Sequence, residues 1–285
     1  MKSYVLLFIA VIAVASAQTR PGRTNVRGKF QTNTSAARTE KPSAPAMTAY
    51  WAFDEGRGMK IRDMSGNKNE AEIMYVDDFN PWREGRSNQG LFLNGGKAYV
   101  DAGTSDSYHI TDAISITAWV MLEGIPDAVN EPAIVSKWDK SADKCAWFLG
   151  TEAGYIAAGV CATGTNADAL TTRMSMRVGE RILNKWMHCA MTFDGTTLLL
   201  YLNGRAFGTN TYSEKKELFY DETTSVFIGR SHGDILEGRQ GNADGTRCLR
   251  GVIDEVRIYP RALSAQEIGA MVLPFASELK AGGKK

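Results

Sequence analysis

The stretch from residue 185 to residue 205 restricts the fold most, because it places two tight-turn signals within a few residues of each other. Asp194-Gly195 separates the apolar runs 187–193 and 198–202, and Asn203-Gly204 closes the second run. Such pairs tolerate positive φ and are typical of β-hairpin turns. No helix fits between turns this close. The stretch therefore predicts a hairpin that leads into a third strand, at the centre of a sheet.

The rest of the chain is also typical of a protein made of strands. Residues 251–259 alternate between apolar and charged side chains, as a half-buried strand does. Ser264 and Glu267 then form a capping box, which predicts a short helix. Further strand predictions include a hairpin over 91–100 and a short strand over 174–178, whereas 233–247 reads as a long glycine-rich loop. Many short strands separated by turn signals predict an all-β sandwich of two sheets.

Several motifs resemble one family. They are W-x-H-x-A-x-T-F-D-G from Trp186, L-x-L-Y-L-N-G from Leu198, I-G-R from Ile228 and G-x-I-D-E-V-R-I-Y-P-R-A-L-S from Gly251. In this order they resemble the laminin-G-like domains of the concanavalin A-like lectin/glucanase superfamily, over residues 47–273. The resemblance implies an all-β fold, a two-sheet antiparallel jelly-roll sandwich with a short C-terminal helix. It implies function less directly, because this fold carries many binding roles and some enzymes.

The ends of the chain have a different composition from the middle. Residues 1–17 combine Lys2, an apolar run and a small-residue cleavage site, which predicts a secretory signal peptide and an exported protein. Residues 18–46 hold six basic residues against one acidic residue and almost no large apolar side chain, so they predict a disordered arm. The arm is either a contact for an anionic polymer or a solvated tether. Residues 274–285 are predicted to be a flexible tail.

A cation site is one prediction from the remaining residues. The net charge of the whole chain is +1, and the basic ends leave the middle mildly acidic, which argues against nucleic-acid binding. The loop with Asp63 and Asn67 offers oxygen ligands that suit Ca²⁺. The resemblance implies that Asp254 lies beside this loop, with a structural Ca²⁺ between them. The alternative is that Asp63 and Asn67 form only a side-chain-stabilised turn.

Four cysteines in an exported chain suggest disulfides. Cys145 and Cys161 are equally far from Ala153 in the sequence, so a hairpin that turns there would place them opposite each other. We predict a disulfide between them. Cys189 and Cys248 remain, and Cys189 is as consistent with a buried free thiol as with a second bridge.

Carbohydrate binding needs exposed aromatic rings, and the position of each ring in the predicted fold separates two groups. The aromatic residues predicted in or beside loops, and therefore as ligand contacts, are Trp82, Tyr108, Trp138 and Tyr155. Those that alternate with strand residues, and are therefore predicted in the core, are Trp51, Trp119, Trp147 and Trp186.

The sequence shows no convincing catalytic group. The segment 229–233 matches G-x-S-x-G, but no helical pattern follows its serine and no histidine comes later than His232. Asp254 and Glu255 are adjacent on a predicted strand and should point to opposite faces. The three histidines, His109, His188 and His232, lack zinc-ligand spacing. We therefore expect a secreted, non-catalytic module that binds a glycan or an extracellular glycoprotein. The alternatives are an adhesion or matrix protein that binds protein surfaces, and a polysaccharide hydrolase.

Overall fold

The structure is a computed structural model, which describes residues 46–76, 79–124, 132–175, 178–179, 182–231 and 248–275. The predicted signal peptide, almost all of the predicted basic arm, the loop 233–247, His232 and most of the predicted tail lie outside the described residues. All described residues belong to one structural unit, Ala44–Lys285. Among the helices that can be described, none has the length and apolar character needed to cross a bilayer.

Two antiparallel sheets form the described part of the chain, as predicted for a jelly-roll sandwich. In chain order its strands are β1 (Ala49–Trp51), β2 (Lys60–Ile61), β3 (Ala71–Met74), β4 (Trp82–Glu84), β5 (Gln89–Asn94), β6 (Tyr99–Asp101), β7 (Ile114–Leu122), β8 (Ala133–Asp139), β9 (Lys144–Glu152), β10 (Tyr155–Gly164), β11 (Leu170–Arg173), β12 (Trp186–Phe193), β13 (Thr197–Leu202), β14 (Arg205–Thr211), β15 (Phe227–Ile228) and β16 (Arg250–Tyr259). Sheet A has the order β14-β13-β12-β7-β16-β5-β4, and β1 also pairs with β16. Sheet B has the order β11-β10-β9-β8-β15-β6-β3-β2.

The predicted central hairpin is confirmed. β12 pairs with β13, and β13 pairs with the third strand, β14. Gly195, Asn203 and Gly204 all have positive φ, as the two tight turns require. β12 also pairs with β7, so the hairpin lies inside sheet A rather than at its edge.

Two strand predictions are wrong. The segment 91–100 is not a hairpin, because β5 pairs with β4 and β16 in sheet A whereas β6 pairs with β3 and β15 in sheet B. The glycine-containing turn after Asn94 carries the chain from one sheet to the other. The strand predicted over 174–178 lies earlier, as β11, where Leu170 and Thr172 turn inward and pair with β10.

The main core lies between the two sheets. It includes Trp51 and Trp147, as predicted, and the inward-facing side chains of β7, β10 and β16. Trp186 is only half-buried, which differs from its predicted core position. The predicted capping box is confirmed, since the Ser264 hydroxyl accepts the Glu267 N–H and the helix α1 (Ala265–Val272) follows. Ile268 of α1 packs in a smaller apolar cluster on the outer face of sheet A, the side away from sheet B.

No disulfide joins the four cysteines, all of which lie in the described residues, and the expected pairing geometry is shifted. The turn of the β9–β10 hairpin contains Ala153 and Gly154, so Glu152 lies opposite Tyr155. Cys145 therefore does not lie directly opposite Cys161, and a register shift places it opposite Gly164. Both thiols still belong to one buried cluster on the outer face of sheet B, and the disulfide stays a prediction. Cys189 is buried in the main core, which favours the free-thiol alternative for that residue.

Candidate functional site

Three of the four aromatic residues predicted to contact a ligand are buried. Trp82 donates its indole N–H to the Gly58 carbonyl, and Tyr108 donates its hydroxyl to the Ala102 carbonyl. Trp138 packs edge-on against Phe148, with ring centroids 5.0 Å apart. These rings are 6 %, 1 % and 1 % exposed respectively, so their predicted role as surface contacts is wrong. Tyr155 alone remains partly exposed.

The loop around Asp63 is held by hydrogen bonds. One carboxylate oxygen of Asp63 accepts the N–H groups of Tyr50 and Ser65, at 3.0 and 2.8 Å. The other accepts the Ser65 hydroxyl at 2.7 Å and the Asn69 N–H at 2.9 Å. Asn67 donates its amide to the carbonyls of two residues in the chain that leads into β1. Asp63 and Asn67 thus fit the alternative, a side-chain-stabilised turn, and a cation site at these two residues stays a prediction.

Asp254 is hydrogen-bonded to a second loop. It is fully buried, and it accepts the N–H of Ser87, in a loop that has no described hydrogen bond to Asp63. Burial raises the pKa of Asp254 to about 7, against the opposing effect of the Ser87 hydrogen bond. Its second oxygen is buried and has no hydrogen-bond partner among the described residues. Within the described ranges, no group of three His, Cys, Asp or Glu side chains is placed to hold a metal. The calcium ion stays a prediction.

Asp254 and Glu255 do not point to opposite faces, because a β-bulge interrupts β16 between Asp254 and Arg257. Glu255 has φ of 55° and is the extra residue of the bulge. Its carboxylate pairs with Arg257 and accepts the hydroxyl of Tyr50 at 3.0 Å. Since Asp254 is buried and Glu255 is tied to these partners, the two carboxyls are not available to flank one glycosidic bond.

An exposed aromatic ring stands on the opposite sheet, directly after β3. Tyr75 is 57 % exposed, and its φ of 57° is rare for a bulky residue. This conformation costs about 1–3 kcal/mol, and such strain often occurs at binding sites. The ring centroid of Tyr75 lies 5.9 Å from that of Tyr99, at an interplanar angle of 34°. Tyr99 in turn meets Phe227 edge-on at 4.9 Å.

Arg230 completes this group. Its guanidinium carbon lies 4.5 Å from the ring centroid of Tyr99 and 5.5 Å from that of Phe227, within cation–π range. Burial raises the pKa of the Tyr99 hydroxyl, and the Arg230 charge partly opposes that shift. We call Tyr75, Tyr99, Phe227 and Arg230 the tyrosine–arginine site. It lies on the outer face of sheet B, since the neighbours of Tyr99 and Phe227 in β6 and β15 point into the core.

The backbone around Arg230 is fixed. Gly229 has φ of 85°, and a Cβ on it would lie 2.1 Å from a side-chain carbon of Leu93. Only glycine fits there. The Arg230 carbonyl accepts the Ser136 hydroxyl at 2.8 Å, which ties the segment to β8. The arginine therefore starts from a rigid position on the sheet.

The family can now be stated. Residues 94–269 match the model of the family Laminin_G_3, described as the concanavalin A-like lectin/glucanases superfamily. The chain belongs to this family. A comparison with curated protein sequences finds no match.

Solved structures with a similar fold include binding domains of several kinds. The binding domain of Paraclostridial Mosquitocidal Protein 1 is 16 % identical, with a TM-score of 0.60 over 81 % of this chain and 52 % of that one. Domain 4 of AbnA, an extracellular arabinanase from Geobacillus stearothermophilus in complex with arabinotriose, is 17 % identical, with a TM-score of 0.59 over 81 % and 100 %. The botulinum neurotoxin serotype D ligand-binding domain, in complex with N-acetylneuraminic acid, is 14 % identical, with a TM-score of 0.58 over 81 % and 51 %. The chain spans about half the length of the two toxin domains.

Sequence reasoning missed most of the tyrosine–arginine site. The triplet I-G-R marks Arg230, since an arginine directly after an obligatory glycine has a fixed backbone. Tyr75 carries no comparable signal, because nothing in its neighbours predicts positive φ for a tyrosine.

Proposed function

We propose that this laminin-G-like domain is an exported, non-catalytic module that binds carbohydrate at the tyrosine–arginine site. The observation that carries the proposal is the exposed ring of Tyr75, held out by a strained backbone beside Tyr99 and Arg230. An aromatic face can pack against the apolar C–H face of a sugar ring, while a nearby arginine donates hydrogen bonds to its oxygens.

The comparisons support this choice among the roles of the fold. One similar structure is reported with arabinotriose and another with N-acetylneuraminic acid, so sandwiches of this shape occur in carbohydrate-binding proteins. The arabinanase domain is a separate part of a hydrolase, and the whole of it matches this chain. A non-catalytic role also agrees with Asp254 and Glu255, whose carboxyls are occupied or buried.

A glycan array with the full mature chain tests the proposal. Tyr75→Ala is expected to weaken binding roughly fivefold, since one aromatic contact is worth about 1 kcal/mol. The matched control is Phe207→Ala, which removes the 47 % exposed ring of β14 in sheet A and should leave binding unchanged. Tyr75→Gly separates binding from folding, because glycine accepts the positive φ: this variant should be at least as stable as wild type and still lose affinity.

The array also decides between the alternatives. Binding to no glycan, together with capture of an extracellular protein, would replace the proposal with a protein-binding role. Release of reducing ends from a polysaccharide panel would instead establish a hydrolase. Equal losses for Tyr75→Ala and Phe207→Ala would move the binding site away from Tyr75.

A further inference from the structure

The guanidinium of Arg230 has an unusual set of partners. It lies over two aromatic rings, and its one described hydrogen bond runs from Nε to the Ser231 carbonyl at 3.4 Å. In the part of the chain that the structure describes, no carboxylate lies within ion-pair distance of it. Other arginines differ in this respect, since Arg83 and Arg261 each pair with a glutamate. Within the described residues, no acceptor contacts the outer N–H groups of Arg230.

A second arginine on the same sheet has the same arrangement. The guanidinium carbon of Arg173 lies 4.6 Å from the ring centroid of Tyr155, and Arg173 is exposed. It too has no described carboxylate partner. Tyr155 and Arg173 lie on the outer face of sheet B, because Ile156 and Leu170 beside them point into the core. The sequence prediction of Tyr155 as a ligand contact is thus compatible with its position.

The two arginine–tyrosine pairs are separated along the sheet. From β10, which carries Tyr155, to β6, which carries Tyr99, the order is β10-β9-β8-β15-β6. Four strand spacings correspond to about 19 Å. Small residues occupy part of the face between them: Gly150 lies opposite Ala157, and Gly159 lies opposite Phe148. The Phe148 ring covers Gly159, where a Cβ would lie 2.3 Å from a ring carbon.

We propose that the ligand is an anionic polysaccharide, whose carboxylate or sulfate groups are bound by Arg230 and Arg173. The inference rests on the proposed function and deepens it. A guanidinium presents its N–H groups as a planar fork, which matches the two oxygens of a carboxylate or a sulfate. Stacking on a tyrosine ring holds the fork in place, so less side-chain entropy is lost when the anion binds.

The acidic groups on this face are largely engaged. Asp101 accepts the Gly103 N–H at 2.8 Å, and Glu72 pairs with Lys60 at 2.7 Å. Glu152 lies at the hairpin end of β9, opposite Tyr155. An anion that binds this face would therefore contact the N–H groups of the two arginines, which have no described carboxylate partner.

The experiment compares charged and neutral forms of the same polymer, by calorimetry with the full mature chain. Polygalacturonate and its methyl-esterified form test the carboxylate, and dextran sulfate and dextran test the sulfate. Wild type is expected to prefer one charged polymer over its neutral form at least tenfold. Arg230→Gln should reduce that preference roughly tenfold, since a hydrogen bond to a charged group is worth about 1.5–3 kcal/mol. Arg230→Lys should retain more of the preference for the charged polymer than Arg230→Gln but less than wild type, because a lysine keeps the charge and lacks the planar fork of N–H groups.

Controls separate the arginine fork from general attraction to basic residues. Arg205→Gln removes an exposed arginine of β14 in sheet A and should leave the preference unchanged. The basic residues of 18–46 are present in every variant, so they cannot produce a difference between variants. Arg173→Gln should weaken the binding of a long charged polymer more than that of a short oligomer, because only a long polymer reaches both arginines.

The outcomes distinguish the inference from the proposed function. If Tyr75→Ala weakens binding to a neutral glycan and wild type shows no preference for charged polymers, carbohydrate binding stands and the anionic ligand is refuted. If Arg230→Gln and Arg205→Gln reduce the preference equally, the attraction is non-specific and the inference also fails. If no polymer or arrayed glycan binds, the proposed function itself fails.

Discussion

Asp63 offers the sharpest test of how the first loop is held, because its carboxylate accepts four hydrogen bonds from β1 and from the loop itself. The change is Asp63→Asn, which keeps the size of the side chain and converts one accepting oxygen into a donor NH₂. Two of the four donors then face this NH₂ group, which cannot accept a hydrogen bond. The donors at stake are the N–H groups of Tyr50, Ser65 and Asn69 and the Ser65 hydroxyl.

The magnitude follows from how far each donor is from water. The bond to Asn69 is buried and the bond to Tyr50 is partly buried, whereas Ser65 can turn toward solvent. A buried donor left without its partner costs about 1–3 kcal/mol, and more when the lost partner is charged. Two such donors give a loss of about 4 kcal/mol in the free energy of unfolding. For a domain of this size that corresponds to a fall of about 10 °C in Tm.

Urea and thermal unfolding, followed by tryptophan fluorescence, measure the loss. Trp51 donates its indole N–H to the Asn69 carbonyl at 2.8 Å, so one buried fluorophore reports directly on this loop. The matched control is Asp54→Asn. Asp54 accepts two exposed hydrogen bonds, from Asn88 and Gln89, and its loss should cost less than about 1 kcal/mol. If Asp63→Asn is no more destabilising than Asp54→Asn, the hydrogen-bonded loop is not what closes this end of the sandwich.

Four further outcomes are expected. A chelator should lower Tm if the predicted calcium is bound, and Asp254→Asn should remove that sensitivity, whereas equal Tm values with calcium and with chelator would rule the ion out. Peptide mapping of the unreduced protein should find Cys145 linked to Cys161, and a link from either to another cysteine would contradict the disulfide predicted from their shared cluster. Burial lowers the pKa of His188 to about 4, so the unfolded chain gains a proton below pH ~6.5 that the folded chain gains only near pH 4. Stability should therefore fall as the pH drops through that window, with a steeper slope for wild type than for His188→Gln. Removing residues 18–46 should change Tm by less than about 3 °C, and a larger fall would show that they pack on the domain.

Local chemistry predicted the local parts of the fold. The hairpin of β12 and β13 depends on Asp194-Gly195, a turn that determines which strands pair because only three residues connect them. The turn after Asn94 has similar composition, yet β5 and β6 separate into different sheets. Whether two consecutive strands pair with each other depends on the strands with which each can pair elsewhere in the chain. β5 pairs with β16, which lies some 160 residues later, so local sequence could not predict this pairing.

The candidate site was also hard to predict, because it too depends on contacts between residues that are far apart in the chain. Trp82 and Tyr108 lie near loops, as predicted, but each donates a hydrogen bond to a backbone carbonyl and is covered by its neighbours. Exposure of a ring is a property of the packed molecule, not of its local sequence. Tyr75 was missed because its backbone conformation runs against the preference of its residue type.

The shortest strand of sheet B has a consequence for how the domain opens. β15 contains only Phe227 and Ile228, yet it alone joins β6 to β8. Native-state amide exchange should therefore find the lowest opening free energy of the sheet at this joint, because so few backbone hydrogen bonds must break to part its two halves. Arg230 follows β15 after Gly229, and Arg173 of β11 lies beyond β8 in the other half of the sheet. A polymer bound by both arginines would connect the two halves of the sheet and oppose their separation. Slower amide exchange at Phe227 and Ile228 would then report its binding.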